Sequence, residues 1–146
     1  MNTRDVLRQK GSKVITIHPQ KGIKEAIDRL VTNGVGALVV VDDQNNVAGM
    51  LTERDILRAN AKSFDQLEGI LVSDLMSKKV IIGLEQDDLE DVMCLMTEQH
   101  IRHLPIMSEG KLAGILSIGD LVKAKARQAE FEIHYLTDYI SGKYPS

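Results

Sequence analysis

Two short stretches of this chain place a hydroxyl and a carboxylate at the same spacing. Residues 49–55 read Gly-Met-Leu-Thr-Glu-Arg-Asp, and residues 114–120 read Gly-Ile-Leu-Ser-Ile-Gly-Asp. Each stretch lies between an apolar run and a helical pattern, so each hydroxyl falls where a strand ends and a helix begins. Free backbone N–H groups at a helix N-terminus favour an anion, and a carboxylate one turn later can accept both hydroxyls of a ribose. The repeat therefore predicts a nucleotide-shaped site that is built twice.

The same residues have a purely structural interpretation. Ser or Thr followed three residues later by a carboxylate resembles a helix capping box, although Glu or Gln is the usual partner. Thr52 with Asp55, and Ser117 with Asp120, would then only start their helices. Both interpretations stay open at this point, and neither supplies a nucleophile for catalysis.

A basic pair precedes an apolar stretch in the second copy of the repeat. Arg102 and His103 stand directly before Leu104, and both side chains favour phosphate oxygens. The alternative is an Arg in solvent and a His whose hydrogen bonds are satisfied by the backbone. The first copy has Gly36 and Ala37 at these positions, so the two sites are not chemically equal if both exist.

The elements that must hold these residues repeat as well. A shift of 66 residues aligns residue 14 with 80 and 38 with 104, and a shift of 65 aligns 49 with 114. Apolar spacing and turn residues predict strand, helix, strand, strand and helix in each copy. These elements are expected at residues 14–17, 23–31, 37–41, 47–51 and from 52 onward, and again at 80–82, 88–99, 104–107, 112–116 and from 117 onward.

The expected organisation is two repeats and a tail. Residues 1–71 form the first repeat, with an N-terminal helix at 3–10 and a linking helix or loop at 63–71. Residues 72–125 form the second repeat. Residues 126–146 form a helical tail that covers its own core or packs on a partner chain. A half of this size buries little apolar surface alone, so the two halves should pack together.

Composition argues against several classes of protein. Of the 146 residues, 43% are hydrophobic and 27% are charged, as in ordinary soluble globular proteins. A net charge of −3 and only five aromatic residues disfavour a nucleic-acid binder. The N-terminus lacks the apolar segment of a signal peptide and no apolar run is long enough to span a bilayer, so we expect a cytoplasmic protein without membrane contact. The four His residues lack metal-ligand spacing, and the single Cys94 is expected in the core.

Together these motifs resemble a known family. The doubled unit, with the two repeated stretches and Ile-Arg-His-Leu-Pro-Ile at residues 101–106, is similar to a pair of CBS domains (cystathionine β-synthase domains), the tandem called a Bateman module. Val-Ser-Asp-Leu-Met at residues 72–76 also resembles the usual start of a second CBS unit. The resemblance implies an α/β (α+β) fold of two small mixed sheets with outer helices, packed by pseudo-twofold symmetry. It also implies a stand-alone pair that forms a disc-shaped homodimer.

The resemblance further implies a ligand and its contacts. CBS pairs bind adenosine nucleotides such as AMP, ADP, ATP or NAD in two clefts, each built from both repeats, with no metal beyond the Mg²⁺ that accompanies a nucleotide. Asp55 and Asp120 would hold ribose hydroxyls, and Thr52 and Ser117 would contact ribose or phosphate. Carried over to this sequence, the first cleft comprises Met50, Leu51, Thr52, Arg54, Asp55, Ile82, Arg102 and His103, and the second comprises Thr16, Ile17, His18, Gly36, Ala37, Ile115, Ser117 and Asp120.

The first of these clefts is better suited to a phosphorylated ligand. The second lacks Arg and His at residues 36–37 and has Gly119 in place of Arg54, so phosphate there would need His18, Lys21 or a partner chain. The expected function is a regulatory module that signals energy or redox state through nucleotide binding, and not an enzyme. The alternative is a ligand-free CBS scaffold for protein–protein interaction or dimerisation, whose tail recruits a client protein.

Overall fold

The chain folds into two three-stranded sheets, one from each copy of the repeat. The computed structural model describes residues 1–11, 13–62 and 67–140. The first half contains α1 (Thr3–Lys10), β1 (Thr16–Ile17), α2 (Ile23–Asn33), β2 (Ala37–Val41), β3 (Val47–Thr52) and α3 (Glu53–Lys62). The second half contains α4 (Val72–Leu75), β4 (Gly83–Leu84), α5 (Leu89–Glu98), β5 (His103–Ser108), β6 (Lys111–Ser117) and α6 (Ile118–Ile140).

Both sheets have the same topology. Strand β1 pairs parallel with β2, and β2 pairs antiparallel with β3. The order β4-β5-β6 repeats this arrangement in the second half. The predicted α+β fold of two small mixed sheets with helices is confirmed.

Helix α2 illustrates how local sequence produces these elements. Ile23, Ala26 and Leu30 recur at helical spacing, and all three side chains are buried. The helix ends at Gly34, whose φ of 62° lies in the left-handed region that glycine adopts without strain. The next segment, from Ala37, is apolar throughout because β2 is the central strand of its sheet.

The first helix of each half packs into the core of the other half. Val6 and Leu7 of α1 are buried in the core of the second half, whereas Val72 of α4 is buried in the core of the first. The Thr3 hydroxyl fixes α1 by donating to the carbonyl oxygens of Leu84 at 2.6 Å and residue 85 at 2.8 Å. The two halves are therefore interlocked by their leading helices.

Two expectations from the sequence are wrong. The strand expected at residues 80–82 lies at Gly83–Leu84, where an added Cβ on Gly83 would approach the Leu104 side chain to 2.9 Å. That close approach favours glycine at the first residue of the strand. Cys94 is exposed and not in the core, because Val92 and Met96 occupy the buried face of α5 and residue 94 points about 160° away from each of them.

Some expectations concern residues outside the described part of the chain. Residues 63–66 of the expected linking segment and residues 141–146 of the expected tail belong to this group. Within the described residues, α6 runs without interruption from the second repeat into the tail. No helix in the described part of the chain is both long and apolar enough to cross a membrane.

Candidate functional site

A cavity of about 610 Å³ lies between the two halves of the chain. The first half contributes the end of β3 and the first turns of α3, and the second half contributes the segments before β4 and β5. Of the residues predicted for the first cleft, six line it: Met50, Thr52, Arg54, Asp55, Arg102 and His103. Its volume lies within the range of roughly 300–1,000 Å³ that is typical of small-molecule sites.

Thr52 and Asp55 form a complete capping box at the start of α3. The Thr52 N–H donates to Asp55 Oδ2 at 2.9 Å, and the Asp55 N–H donates to Thr52 Oγ1 at 3.2 Å. Ser117 and Asp120 make the same pair of bonds at 2.8 and 3.1 Å. The structural interpretation of the motif therefore holds in both repeats. It leaves Asp55 Oδ1 without a partner among the described residues, so capping and ligand binding are compatible.

The cavity is rich in positive charge although the chain is acidic overall. Four of its lining residues are Arg or Lys, two are His, and only Glu53 and Asp55 are acidic. None of the four Arg and Lys side chains forms an ion pair within residues 1–11, 13–62 and 67–140. These basic residues are Arg54, Arg58, Lys79 and Arg102. Unpaired basic groups around a concave site favour an anionic ligand.

His103 lies at the junction of the two repeats. A Cβ added to Gly36 would stand 3.3 Å from both His103 Nε2 and Glu53 Oε1, so all three residues meet at one point. Burial lowers the pKa of His103 below its usual value; the Glu53 carboxylate opposes this effect, and the Lys10 ammonium adds to it. More weakly, the Asp120 carboxylate raises the His103 pKa and the Arg102 guanidinium lowers it. The imidazole is therefore neutral near pH 7.

Two residues predicted for the first cleft do not line its cavity. Leu51 is fully buried in the core of the first half, because it points to the opposite face of β3 from Met50 and Thr52. Ile82 is 43% exposed, and the apolar wall is formed instead by Val80 and Ile81. The position of Leu51 follows from strand geometry, in which neighbouring side chains alternate between faces. Ile82 instead lies in the irregular segment before β4.

The sequence analysis also missed several residues of the cavity. Arg58 lies one helical turn after Arg54, and this i,i+4 spacing on α3 is a signal that could have identified it. His100 and Lys79 come from irregular segments, where no periodicity indicates which way a side chain points. The remaining lining residues absent from the prediction are Glu53, Leu57, Ser77, Val80, Ile81 and Ile101. Gly36, assigned to the second cleft, also lines this cavity.

The second predicted cleft is organised differently. Lys10 Nζ lies 2.7 Å from Asp120 Oδ2 and donates to the Ile115 carbonyl oxygen at 2.6 Å. Burial alone would raise the pKa of the Asp120 carboxyl, but the Lys10 ammonium and the hydrogen bonds with Ser117 outweigh it and hold that pKa below its usual value. Lys10, which was not predicted as a site residue, thus contacts two residues that were predicted, Asp120 and Ile115.

The other residues predicted for the second cleft are spread over several environments. Ile17 is buried in the first core, and Ala37 is buried in a cluster between the halves that also contains Ile115. His18 Nε2 lies 2.8 Å from Asp43 Oδ1. The remaining predicted member, Thr16, is half-buried in β1 and its carbonyl accepts a bond from Arg29. The side chains of Ile17 and Ala37 are therefore not available to a ligand in this arrangement.

The chain belongs to the CBS domain family. Residues 4–62 and 72–127 match the family, one match for each half of the structure. Uncharacterized protein MJ1225 of Methanocaldococcus jannaschii is 36% identical over 110 residues, which cover 75% of this chain and 39% of that protein. This chain therefore spans well under half the length of that relative.

Solved structures with the same fold agree with this assignment. The CBS-domain containing protein ATU1752 from Agrobacterium tumefaciens superposes with a TM-score of 0.82 at 38% identity, covering 86% of this chain and 99% of that one. CBSX2, solved in complex with AMP, superposes with a TM-score of 0.72 at 29% identity, covering 88% of this chain and 98% of that one. The prediction that the chain is a pair of CBS domains is confirmed.

Proposed function

We propose that this CBS pair is a regulatory module that binds an adenosine nucleotide in the cavity between its halves. The observation that carries the proposal is the combination of Thr52 and Asp55 from one repeat with Arg102 and His103 from the other around a single cavity. A ligand that contacts both sets of residues couples the two halves. Its binding energy can therefore bias their relative arrangement.

The chemistry of the cavity matches the three parts of a nucleotide. Asp55 Oδ1, which has no partner in the described part of the chain, can accept hydrogen bonds from ribose hydroxyls. Apolar Val80 and Ile81 offer a surface for a base. Arg54 and Arg102, which form no ion pair with another described residue, can neutralise phosphate oxygens. AMP, bound by the related CBSX2, is the first candidate, with ADP, ATP and NAD as larger alternatives.

We also propose that the module acts as a homodimer that signals to a client protein. Helix α6 carries exposed apolar side chains at Phe131, Leu136 and Ile140, and Val31 of α2 is 76% exposed. Where such side chains form a contiguous apolar patch, they mark a surface that contacts a partner. Size-exclusion chromatography with light scattering, with and without nucleotide, measures this association.

A ligand screen tests the proposed function. Purified protein is melted in the presence of adenosine, AMP, ADP, ATP, NAD and S-adenosylmethionine, and each positive is measured by calorimetry. A ligand at about 100 times its dissociation constant stabilises the fold by about 2.7 kcal/mol, which shifts the melting curve measurably. A shift with one of these compounds supports the proposal. Unchanged melting with all of them contradicts it and favours the ligand-free scaffold.

A further inference from the structure

The position predicted for the second cleft of this CBS pair holds a cation supplied by the chain itself. Helix α1 ends at Lys10, and its ammonium bridges the Asp120 carboxylate and the Ile115 carbonyl oxygen. Asp120 corresponds to Asp55 in the repeat, and Ile115 corresponds to Met50. The two groups that Lys10 bridges are therefore the counterparts of groups at the first cavity.

The first cavity has a different arrangement at the corresponding atoms. There the Met50 carbonyl accepts from the Ser77 backbone N–H at 2.8 Å, and the Met50 N–H donates to the Ser77 carbonyl at 3.0 Å. Asp55 has no ion pair with a described Lys or Arg, whereas Asp120 has one. At the first cavity the Met50 carbonyl is paired with backbone, and Asp55 has no ion pair among the described residues. At the second position the Lys10 ammonium engages both corresponding groups.

Lys10 can leave this position without undocking its helix. The apolar side chains of Val6 and Leu7 and the hydrogen bonds of Thr3 attach α1 to the second half independently of Lys10. The Lys10 side chain is 31% exposed, so its departure costs the energy of a partly solvated ion pair and one hydrogen bond. That cost is small enough for a bound ligand to offset.

We infer that Lys10 is a built-in occupant of the second cleft, which makes it a low-affinity site that an adenosine ligand fills only by displacing the ammonium. This inference rests on the proposed function, because it assumes that both clefts recognise the same ligand class. The consequence is a module that loads in two stages. The first cavity fills at low ligand concentration, and the second fills only when the ligand outcompetes Lys10.

Calorimetry with adenosine tests this inference. Adenosine is neutral, so removing a positive charge does not change its long-range attraction to the protein. Lys10→Met keeps an unbranched side chain that is one atom shorter and removes the ammonium. Arg8→Met is the matched control on the exposed side of the same helix. We expect Lys10→Met to tighten the second site by about tenfold, equivalent to about 1.4 kcal/mol. The first site, whose cavity Lys10 does not line, should change far less. Adding Asp120→Ala to Lys10→Met should abolish the gain in second-site affinity.

The outcomes separate this inference from the proposed function. Equal second-site affinity in wild type and Lys10→Met, or an equal gain with Arg8→Met, overturns the inference while a tight first site still supports the proposed function. Wild type that binds neither adenosine nor any other compound of the ligand screen contradicts the proposed function, and an adenosine site gained in Lys10→Met under those conditions supports the inference. If Lys10→Met gains no adenosine site, the inference is overturned. Lys10→Gln serves as the second variant if Lys10→Met melts at a much lower temperature than wild type.

Discussion

The most informative single substitution is Asp55→Asn. In the structure Asp55 Oδ2 accepts the Thr52 N–H, and an Asn carbonyl oxygen can accept the same bond. The other carboxylate oxygen, which has no partner among the described residues, becomes an amide NH₂. The variant therefore keeps the helix cap and removes the charged acceptor that we assign to the ribose.

The expected effects on affinity and stability differ in size. Losing a hydrogen bond to a charged acceptor costs roughly 1.5–3 kcal/mol, so nucleotide affinity should fall by about 10- to 150-fold. Folding loses only the interaction of a negative charge with the first turn of α3, which is worth about 0.3–1 kcal/mol. Binding is therefore expected to suffer more than folding.

Calorimetry with adenosine and urea unfolding measure these two quantities on the same sample. The matched control is Asp5→Asn, because Asp5 Oδ2 accepts the Asn2 N–H at 3.0 Å in an equivalent capping box and Asp5 does not line the cavity. Asp5→Asn should cost similar stability and leave affinity unchanged. Asp55→Asn that binds adenosine within twofold of wild type would refute the role assigned to this carboxylate.

Three further outcomes follow from the site and the fold. Arg102→Ala should weaken AMP binding by at least tenfold and adenosine binding far less, since the guanidinium is placed to contact phosphate; equal losses would remove it from the phosphate site. AMP should bind with proton uptake, because a phosphate beside His103 raises the lowered pKa of this residue, so affinity should increase as the pH falls from about 7.5 toward the pKa of free His103. Calorimetry in buffers of different ionisation enthalpy counts these protons, and His103→Gln should abolish the uptake. Gly49→Ala should destabilise the fold by about 1–3 kcal/mol in urea unfolding, because the added Cβ would stand 2.7 Å from the Ser77 carbonyl. Gly119→Ala, whose Cβ would meet nothing closer than 3.7 Å, should leave stability equal or higher.

The parts of the fold that the sequence predicts well are those governed by local pattern. Strands β2, β3, β5 and β6 are apolar runs separated by turn residues, and each lies within about one residue of its expected position. The strand near residue 80 was misplaced because Val80 and Ile81 are apolar for a different reason. Val80 packs between the halves, Ile81 packs against the core of the second half, and both line the cavity. Hydrophobicity alone does not distinguish these two kinds of burial.

The candidate site was predictable in its repeated motif and unpredictable in its long-range contacts. Thr52 and Asp55 stand in a short motif, and the resemblance to CBS pairs brought Arg102 to the same cleft. The contact of Lys10 with Asp120 joins residues 110 positions apart through the packing of α1 on the second half. No spacing rule links such residues. The assignment of Cys94 to the core also failed. One face of α5 packs against the core, whereas the opposite face, which carries Cys94, is exposed.

The first helix of each half packs into the core of the other half, and this arrangement affects how the chain folds during synthesis. The Thr3 hydroxyl bonds to carbonyl groups 81 and 82 residues further along the chain, and Val6 and Leu7 complete a core whose other members begin at Leu89. On the ribosome, α1 emerges long before the surface that buries it. The first half also lacks Val72 until the linking segment has been made. We therefore expect the domain to fold late and in one cooperative step, at a rate limited by non-local contacts, and not repeat by repeat.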